Sequence, residues 1–165
     1  MENAEIIVKE WLQKVKKRFT IENILYQVHS ETGDSNYSDI DILAFDAKEG
    51  KFYDYEVKWS SSRTINVTQK ESVKGIIKRF YGEERVKLLS EKIGISDTRN
   101  IQKVFIVPQI YFGVREKKRI KYEQEFKCKN ISVTYFDNII NELIEYSAKQ
   151  KRDDSLVVRL LRSIK

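Results

Sequence analysis

The sequence is poor in residues that build disulfides or soft-metal sites, since it has one cysteine and one histidine in 165 residues. A single cysteine, Cys128, excludes an intramolecular disulfide framework and a cysteine-built zinc site. The sequence also lacks any run of about 18 apolar residues, and residues 1–10 carry acidic side chains where a signal peptide would be apolar. We therefore expect a cytoplasmic protein that is not directed to a membrane.

Proline is equally scarce, with one residue in the whole chain, and no low-complexity tract marks a linker. With 41% hydrophobic and 12% aromatic residues, 165 residues suffice for one substantial core and are few for two. The composition lacks the low hydrophobicity that is typical of disorder. The sequence therefore predicts a single domain, residues 1–165, that folds without a partner.

Charge of both signs is abundant, and 31 Lys and Arg against 25 Asp and Glu leave a net charge of +6. An excess of positive charge favours a polyanionic partner through counterion release. A Lys-rich and Glu-rich surface is also simply a solvated one. Charge alone leaves both interpretations open.

Apolar periodicity predicts an α/β fold in the order helix, three strands, helices, strand, strand, helix. Thr68, with Glu71 three residues later, is a predicted helix cap, and Asp137 is another. The predicted helices cover 2–18, 68–80, 83–93, 138–149 and 156–164, the strands cover 24–29, 38–46, 51–59, 103–108 and 131–136, and 115–127 is a basic loop or helix.

The second and third predicted strands form a hairpin around the short polar segment 47–50. Asp39 and Asp41 share one face of their strand, and Glu56 and Lys58 share one face of theirs. If Asp46 pairs with Lys51, Asp41 lies directly opposite Glu56; a loop with an odd number of residues would separate them. The same register places a core layer on the other face, formed by Ile40, Ile42, Ala44, Tyr53, Tyr55 and Val57.

Two carboxylates that face each other at ~5 Å repel unless one is protonated or a cation lies between them. Hard oxygen ligands of this kind suit Mg²⁺ or Mn²⁺. Lys58 then has two interpretations. It is the counter-ion of Asp41 or Glu56, or it orients an attacking water beside a metal ion.

This arrangement resembles the PD-(D/E)XK nuclease superfamily, including its members that are similar to Holliday junction resolvases. The resemblance covers roughly the first 60 residues. It rests on a first helix with Ala4-Glu5 and Trp11-Leu12, on the strand Ser38-Asp39-Ile40-Asp41-Ile42-Leu43-Ala44, and on the strand Tyr55-Glu56-Val57-Lys58. One departure is that Ile40 stands where the family name has a proline.

The resemblance implies a restriction-endonuclease-like, three-layer α/β/α fold with a central mixed sheet. It implies that Asp41, Glu56 and the Val57 carbonyl bind Mg²⁺, for which Mn²⁺ can substitute, and that Lys58 is the catalytic lysine. Glu5 matches an additional glutamate of the first helix, with Glu10 as second choice. Gln69 or Lys70 matches a polar residue of the helix that follows the E-x-K strand.

The function implied is a metal-dependent endonuclease that hydrolyses DNA phosphodiester bonds, with the 3′ oxygen as the leaving group. Junction-resolving, restriction, mobile-element and repair enzymes share this pattern, and RNA cleavage needs the same chemistry. A homodimer would supply the two sites needed to cut both strands. The alternative from another class is a nucleic-acid-binding module that keeps the fold and does not cut.

Two basic runs are candidates for contacts with backbone phosphates, and solvation is the alternative explanation for either. The second run is the better candidate for DNA, because it interrupts otherwise structured sequence near Tyr111 and Phe112. The first run comprises Lys14, Lys16, Lys17 and Arg18, and the second comprises Arg115, Lys117, Lys118, Arg119 and Lys121. His29 is best explained as a strand-end residue. Asp39 is a candidate for the edge of the carboxylate site.

Overall fold

One mixed sheet of five strands organises the protein, and its strands lie side by side in chain order. The computed structural model describes residues 3–29, 35–59, 65, 72–94, 96–150 and 155–163. The first three strands are antiparallel and the last two are parallel to the third. The strands are β1 (Phe19–His29), β2 (Ser35–Asp46), β3 (Lys51–Val57), β4 (Gln102–Val107) and β5 (Ile131–Tyr135).

Helices cover both faces of this sheet. They are α1 (Asn3–Lys14), α2 (Val73–Phe80), α3 (Glu83–Ile93), α4 (Glu116–Lys127), α5 (Phe136–Lys149) and α6 (Leu156–Ser163), with short 3₁₀ turns at Thr98–Asn100 and Gln109–Phe112. One face packs against α1, α5 and α6, and the other against α2, α3 and α4. The predicted α/β fold with helices on both sides of a mixed sheet is therefore confirmed. Among the described residues, no helix is long and apolar enough to cross a membrane.

The β2–β3 hairpin has the predicted even loop. The Asp46 carboxylate accepts hydrogen bonds from the amides of Lys48 and Glu49, and Gly50 has the positive φ of +64° that the turn requires. Asp46 consequently pairs with Lys51, and the register continues to Ile42 and Tyr55. This is the register that places Asp41 opposite Glu56.

An irregularity at Asn23 divides strands β1 and β2 into two halves. The ladder passes from the pair Glu22–Ile42 to the pair Ile24–Ile40, and Asn23 between them has φ +50°. Beyond this point Ile40 packs in the cluster that contains Leu89 of α3. Strict alternation predicted one core layer for Ile40, Ile42 and Tyr55, but Ile40 lies in a different cluster. The left-handed conformation of Asn23 and the break in the ladder there account for the difference.

Several predicted element boundaries needed correction. Helix α1 ends at Lys14 because Lys17 adopts φ +58° and turns the chain into β1, which begins at Phe19. The basic segment 115–127 is a helix. Tyr135, and not Asp137, is the N-cap of α5.

Ser72 caps α2 through its hydroxyl, which accepts the amide of Gly75 at 3.0 Å. The predicted capping box at Thr68 and Glu71 lies outside the described residues. The last helix packs on its own domain, because Val157 and Leu161 contact the core formed by α1 and α5.

Candidate active site

The carboxylates of interest lie where strands β2 and β3 part. The β2–β3 ladder stops at Ile42 and Tyr55, and the next residues of β3 pair with β4. Asp41 spans the gap, since its Oδ2 accepts a hydrogen bond from the Val57 amide at 2.5 Å. This bond ties the end of the D-I-D strand to the E-V-K strand.

Glu56 is surrounded by three cationic side chains. Its Oε1 lies 3.0 Å from Lys58 Nζ and accepts a hydrogen bond from Arg79 Nη1. Its Oε2 accepts a hydrogen bond from Arg85 Nη1 at 3.1 Å. Only 1% of Glu56 is exposed, so these contacts replace its hydration.

Arg85 is the centre of a buried network beneath this site. Its side chain is fully buried, and it forms two hydrogen bonds to Asp54, of 2.6 and 3.1 Å. Arg85 also donates to the backbone carbonyl of Asp39 at 3.3 Å. A single guanidinium thus holds β2 and β3 together and orients Glu56.

Sequence reasoning missed Arg79, Arg85 and Asp54. A signal for Arg85 was present, because it lies four residues before Leu89 on the buried stripe of α3. Asp54 also shares the strand face of Glu56, two residues away, and a buried carboxylate there requires a cation. Nothing in the sequence distinguishes Arg79 from a solvated residue in a basic helix.

The surroundings of Asp41 and Glu56 shift the pKa values of these two carboxyl groups in opposite directions. Burial and the charge of Glu56 raise the pKa of Asp41 to about 7. Burial alone would raise the pKa of Glu56, but Arg85, Lys58 and Arg79 together lower it to about 2. Burial likewise opposes the charged form of Lys58, yet Glu56 and Asp41 raise the pKa of its ammonium group. At neutral pH Glu56 is ionised, Lys58 is charged, and the Asp41 carboxyl is partly protonated.

The predicted metal ligands are the carboxylates of Asp41 and Glu56 and the backbone carbonyl of Val57. One or two carboxylates with water and substrate phosphate are the usual donors to Mg²⁺ in proteins. No cluster of three or more His, Cys, Asp or Glu that could hold a metal occurs within the described part of the chain. Lys58 and Arg79 already occupy Glu56 Oε1, so a cation there must compete with them.

The fold has counterparts among solved structures. No protein-family model matches the sequence, and no curated protein matches it. A crystal structure of a protein of unknown function, AF1548, is 17% identical, with a TM-score of 0.50, and the alignment covers 98% of this chain and 78% of that one. MunI restriction endonuclease in complex with cognate DNA is 12% identical, with a TM-score of 0.45, and the alignment covers 92% of this chain and 89% of that one. At these identities the likeness concerns the fold alone.

The remaining predicted site residues are Glu5, with Glu10 as second choice, and Gln69 or Lys70. Glu5 is buried on α1, whose apolar residues pack on the sheet face opposite α2 and α3. Glu10 of the same helix has a buried Oε2 that lacks a hydrogen-bond partner among the described residues. Gln69 and Lys70 lie outside the described residues. The roles of Glu5 and Gln69 thus stay predictions.

The first basic run has mixed surroundings. Lys16 forms an ion pair with Glu142, and Lys17 lies over the ring of Tyr146. Lys14 closes the last turn of α1 and is partly exposed. Phosphate binding by this run stays a prediction.

Arg18 of the same run has a structural role. Its guanidinium lies 3.6 Å from the centre of the Tyr53 ring, forms an ion pair with Asp46 at 3.1 Å and donates to the Tyr55 hydroxyl at 2.5 Å. These three contacts hold the turn after α1 against β2 and β3.

The second basic run lies at the start of α4, on the sheet face that α2 and α3 also cover. Arg115, Lys117 and Lys118 are exposed, and Arg119 is partly buried. Exposed cations on the face that holds Arg79 and Arg85 suit phosphate contacts better than Arg18 does.

Proposed function

We propose that this protein is a metal-dependent endonuclease that hydrolyses DNA phosphodiester bonds, with Asp41, Glu56 and Lys58 as its active-site residues. The observation that carries the proposal is the hairpin register. It places Asp41 opposite Glu56 where the strands part, with Lys58 Nζ 3.0 Å from Glu56. The PD-(D/E)XK resemblance of these same residues supports this assignment.

In this proposal Asp41, Glu56 and the Val57 carbonyl would hold Mg²⁺, or Mn²⁺ in its place. Such a cation, when bound, polarises the phosphate and stabilises the charge that develops on it. The cation would compete with Lys58 and Arg79 for Glu56 Oε1. The buried guanidinium of Arg85 fixes the position of Glu56 without touching the substrate.

Lys58 holds the attacking water in this scheme. Its side chain is 38% exposed while Glu56 is buried, so its ammonium group reaches from the carboxylates to solvent. An ammonium group can donate to a water oxygen and orient it in line with the scissile bond. The family pattern has the 3′ oxygen as the leaving group. Water attacks phosphorus, the bond to O3′ breaks, and the products carry a 5′-phosphate and a 3′-hydroxyl.

DNA is the proposed substrate because of charge and resemblance together. The net charge of +6 favours a polyanion, and Arg115, Lys117 and Lys118 present exposed cations at the start of α4. Lys14, Lys17 and Arg119 are the remaining candidates for phosphate contacts. Glu5 and Gln69 remain candidates for completing the site.

The test is cleavage of labelled linear, single-stranded, supercoiled and four-way-junction DNA by the purified protein with Mg²⁺, Mn²⁺ or chelator. Glu56→Gln and Lys58→Ala should each lower the metal-dependent rate by at least about 100-fold. The matched controls are Glu49→Gln and Lys51→Ala, an exposed ion pair between the hairpin turn and the first residue of β3. Equal cleavage by all four variants would indicate a contaminant or another site.

A second candidate function is nucleic-acid binding without cleavage, and one observation favours it. Glu56 already has three cationic partners, so the described site is neutralised without a metal. Under this alternative, Mg²⁺ leaves the melting temperature unchanged. Under the nuclease proposal, Mg²⁺ raises it by mass action, and Asp41→Asn abolishes the increase.

A further inference from the structure

A cleft of about 1030 Å³ opens beside the candidate active site. It lies between α2 with the start of α3 and the half of the β1–β2 hairpin that extends beyond β3. The residues that matter for its chemistry are Tyr26, Asn36, Tyr37, Lys74, Lys78 and Arg79.

Arg79 joins this cleft to the proposed active site. The residue lines the cleft, and its guanidinium donates to Glu56 Oε1. A group that enters the cleft and reaches Arg79 is therefore one side chain away from Glu56. A ligand of the cleft and a substrate of the Asp41–Glu56 site can be the same molecule.

The side chains that line the cleft are complementary to a nucleic-acid strand. Lys74 and Lys78 are exposed on α2, and with Arg79 they give three cations against one acidic residue, Glu84. Lysine and arginine side chains along a groove bind backbone phosphates irrespective of sequence. The positive charge of the cleft is thus complementary to a phosphodiester chain.

Aromatic side chains lie beside these cations. Tyr26 is partly buried against the α3 cluster, and Tyr37 on the neighbouring strand is 75% exposed. Bases of any sequence stack on exposed aromatic rings. Asn36 adds an amide that can donate and accept hydrogen bonds.

The size of the cleft and the position of its tyrosines favour unpaired over paired nucleic acid. Pockets of about 300–1,000 Å³ enclose a drug-sized molecule. A duplex presents its bases only in its grooves, so a base can reach Tyr26 or Tyr37 only after it leaves the stack. The cleft has room for one or two unpaired nucleotides, whereas a duplex cannot bring a stacked base into it.

We infer that this cleft binds an unpaired segment of DNA whose backbone runs along Lys74 and Lys78 past Arg79 to the Asp41–Glu56 site. The inference rests on the proposed nuclease function and narrows its substrate to DNA with a single-stranded or splayed region. Phosphates bind the cations of α2, and a base stacks on Tyr37 at the rim of the cleft.

The test is fluorescence anisotropy of labelled single-stranded DNA, duplex of the same sequence and RNA of the same sequence, all in chelator. The wild-type protein should bind the single strand at least about tenfold more tightly than the duplex. In Lys74→Ala/Lys78→Ala the slope of log affinity against log salt should decrease by about 1.4 for two lost phosphate contacts. Tyr37→Ala should weaken binding of the single strand about tenfold.

The matched control is Lys87→Ala/Lys92→Ala, which removes two exposed lysines from α3 outside the cleft. Equal effects of the two double variants would overturn the inference, as would tighter binding of the duplex. Tighter binding of RNA than of DNA would overturn DNA as the occupant.

Because binding is measured in chelator, its failure is separable from that of the nuclease proposal. Metal-dependent cleavage with no effect of the cleft variants would leave the nuclease proposal standing and remove this one. Binding by the cleft without cleavage in Mg²⁺ would refute the nuclease proposal and support the cleft as a single-strand site.

Discussion

Replacement of Arg85 by methionine should destabilise the protein strongly, because the side chain is fully buried and binds two carboxylates. Arg85→Met leaves the Asp54 carboxylate buried without its two guanidinium hydrogen bonds. Removing one partner of a buried ion pair typically costs about 3–5 kcal/mol. Lys103, the buried neighbour of Asp54 on β4, compensates part of this charge, so the lower end of that range is expected.

The coupling between the two residues can be measured with a double variant. Asp54→Leu/Arg85→Met removes both charges and fills the space with apolar atoms, which is often neutral or stabilising relative to a buried pair. Glu56 keeps Lys58 and Arg79 in this variant. We expect the double variant to recover at least about half of the free energy of unfolding that Arg85→Met loses.

The assay is urea unfolding followed by the fluorescence of Trp11, which is buried against α5 and the sheet. The free energy of unfolding of wild type, both single variants and the double variant completes the cycle. A loss below about 1 kcal/mol in Arg85→Met would refute the argument. So would losses in the single variants that simply add in the double variant.

Three further predictions concern Asp41, Arg79 and Arg18. The pKa of Asp41 is raised from 3.8 to about 7, so the folded protein binds a proton that the unfolded chain has released, and stability falls as pH rises between these values. Asp41→Asn should flatten this fall in urea unfolding at pH 5 and 8 and should be the more stable protein at pH 8; an unchanged pH dependence contradicts it. Arg79→Ala should bind Mg²⁺ about fivefold more tightly than wild type in calorimetric titration, because the Arg79 guanidinium competes with the cation for Glu56. Lys78→Ala should bind Mg²⁺ as wild type does, and weaker binding by Arg79→Ala would contradict the competition. Arg18→Ala should lose about 2 kcal/mol of unfolding free energy, because it removes the contacts with Tyr53, Asp46 and Tyr55. The control Lys17→Ala should lose less than about 0.5 kcal/mol, and equal losses in the two variants would contradict the prediction.

The sequence alone determined the element order and the register of the central hairpin. Helical and strand periodicities are local properties of the chain, and they predicted four of the five strands to within three residues, whereas β1 begins five residues before its predicted start. The loop 47–50 is also local, because the Asp46 carboxylate accepts the loop amides and Gly50 supplies the positive φ. Asp41 therefore faces Glu56 for reasons that can be found within about 16 residues of chain.

Only the tertiary structure decided what surrounds these carboxylates. Arg79 and Arg85 lie 23 and 29 residues beyond Glu56, on two helices that the crossover between β3 and β4 brings back onto the sheet. In a chain with 31 Lys and Arg, Arg79 resembles a solvated helix residue, and the position of Arg85 on the buried stripe of α3 does not identify its partners. Packing then turns these cations into partners of Glu56.

The same physical reason explains the other corrections. Ile40 changes its core cluster because Asn23, on the neighbouring strand, adopts a left-handed conformation, and no local pattern in β2 reports that. Arg18 becomes a stacking partner of Tyr53 because the turn after α1 lies against the hairpin. Local sequence determines turns and periodicities, whereas the partner of a charged side chain depends on which distant elements exclude water around it.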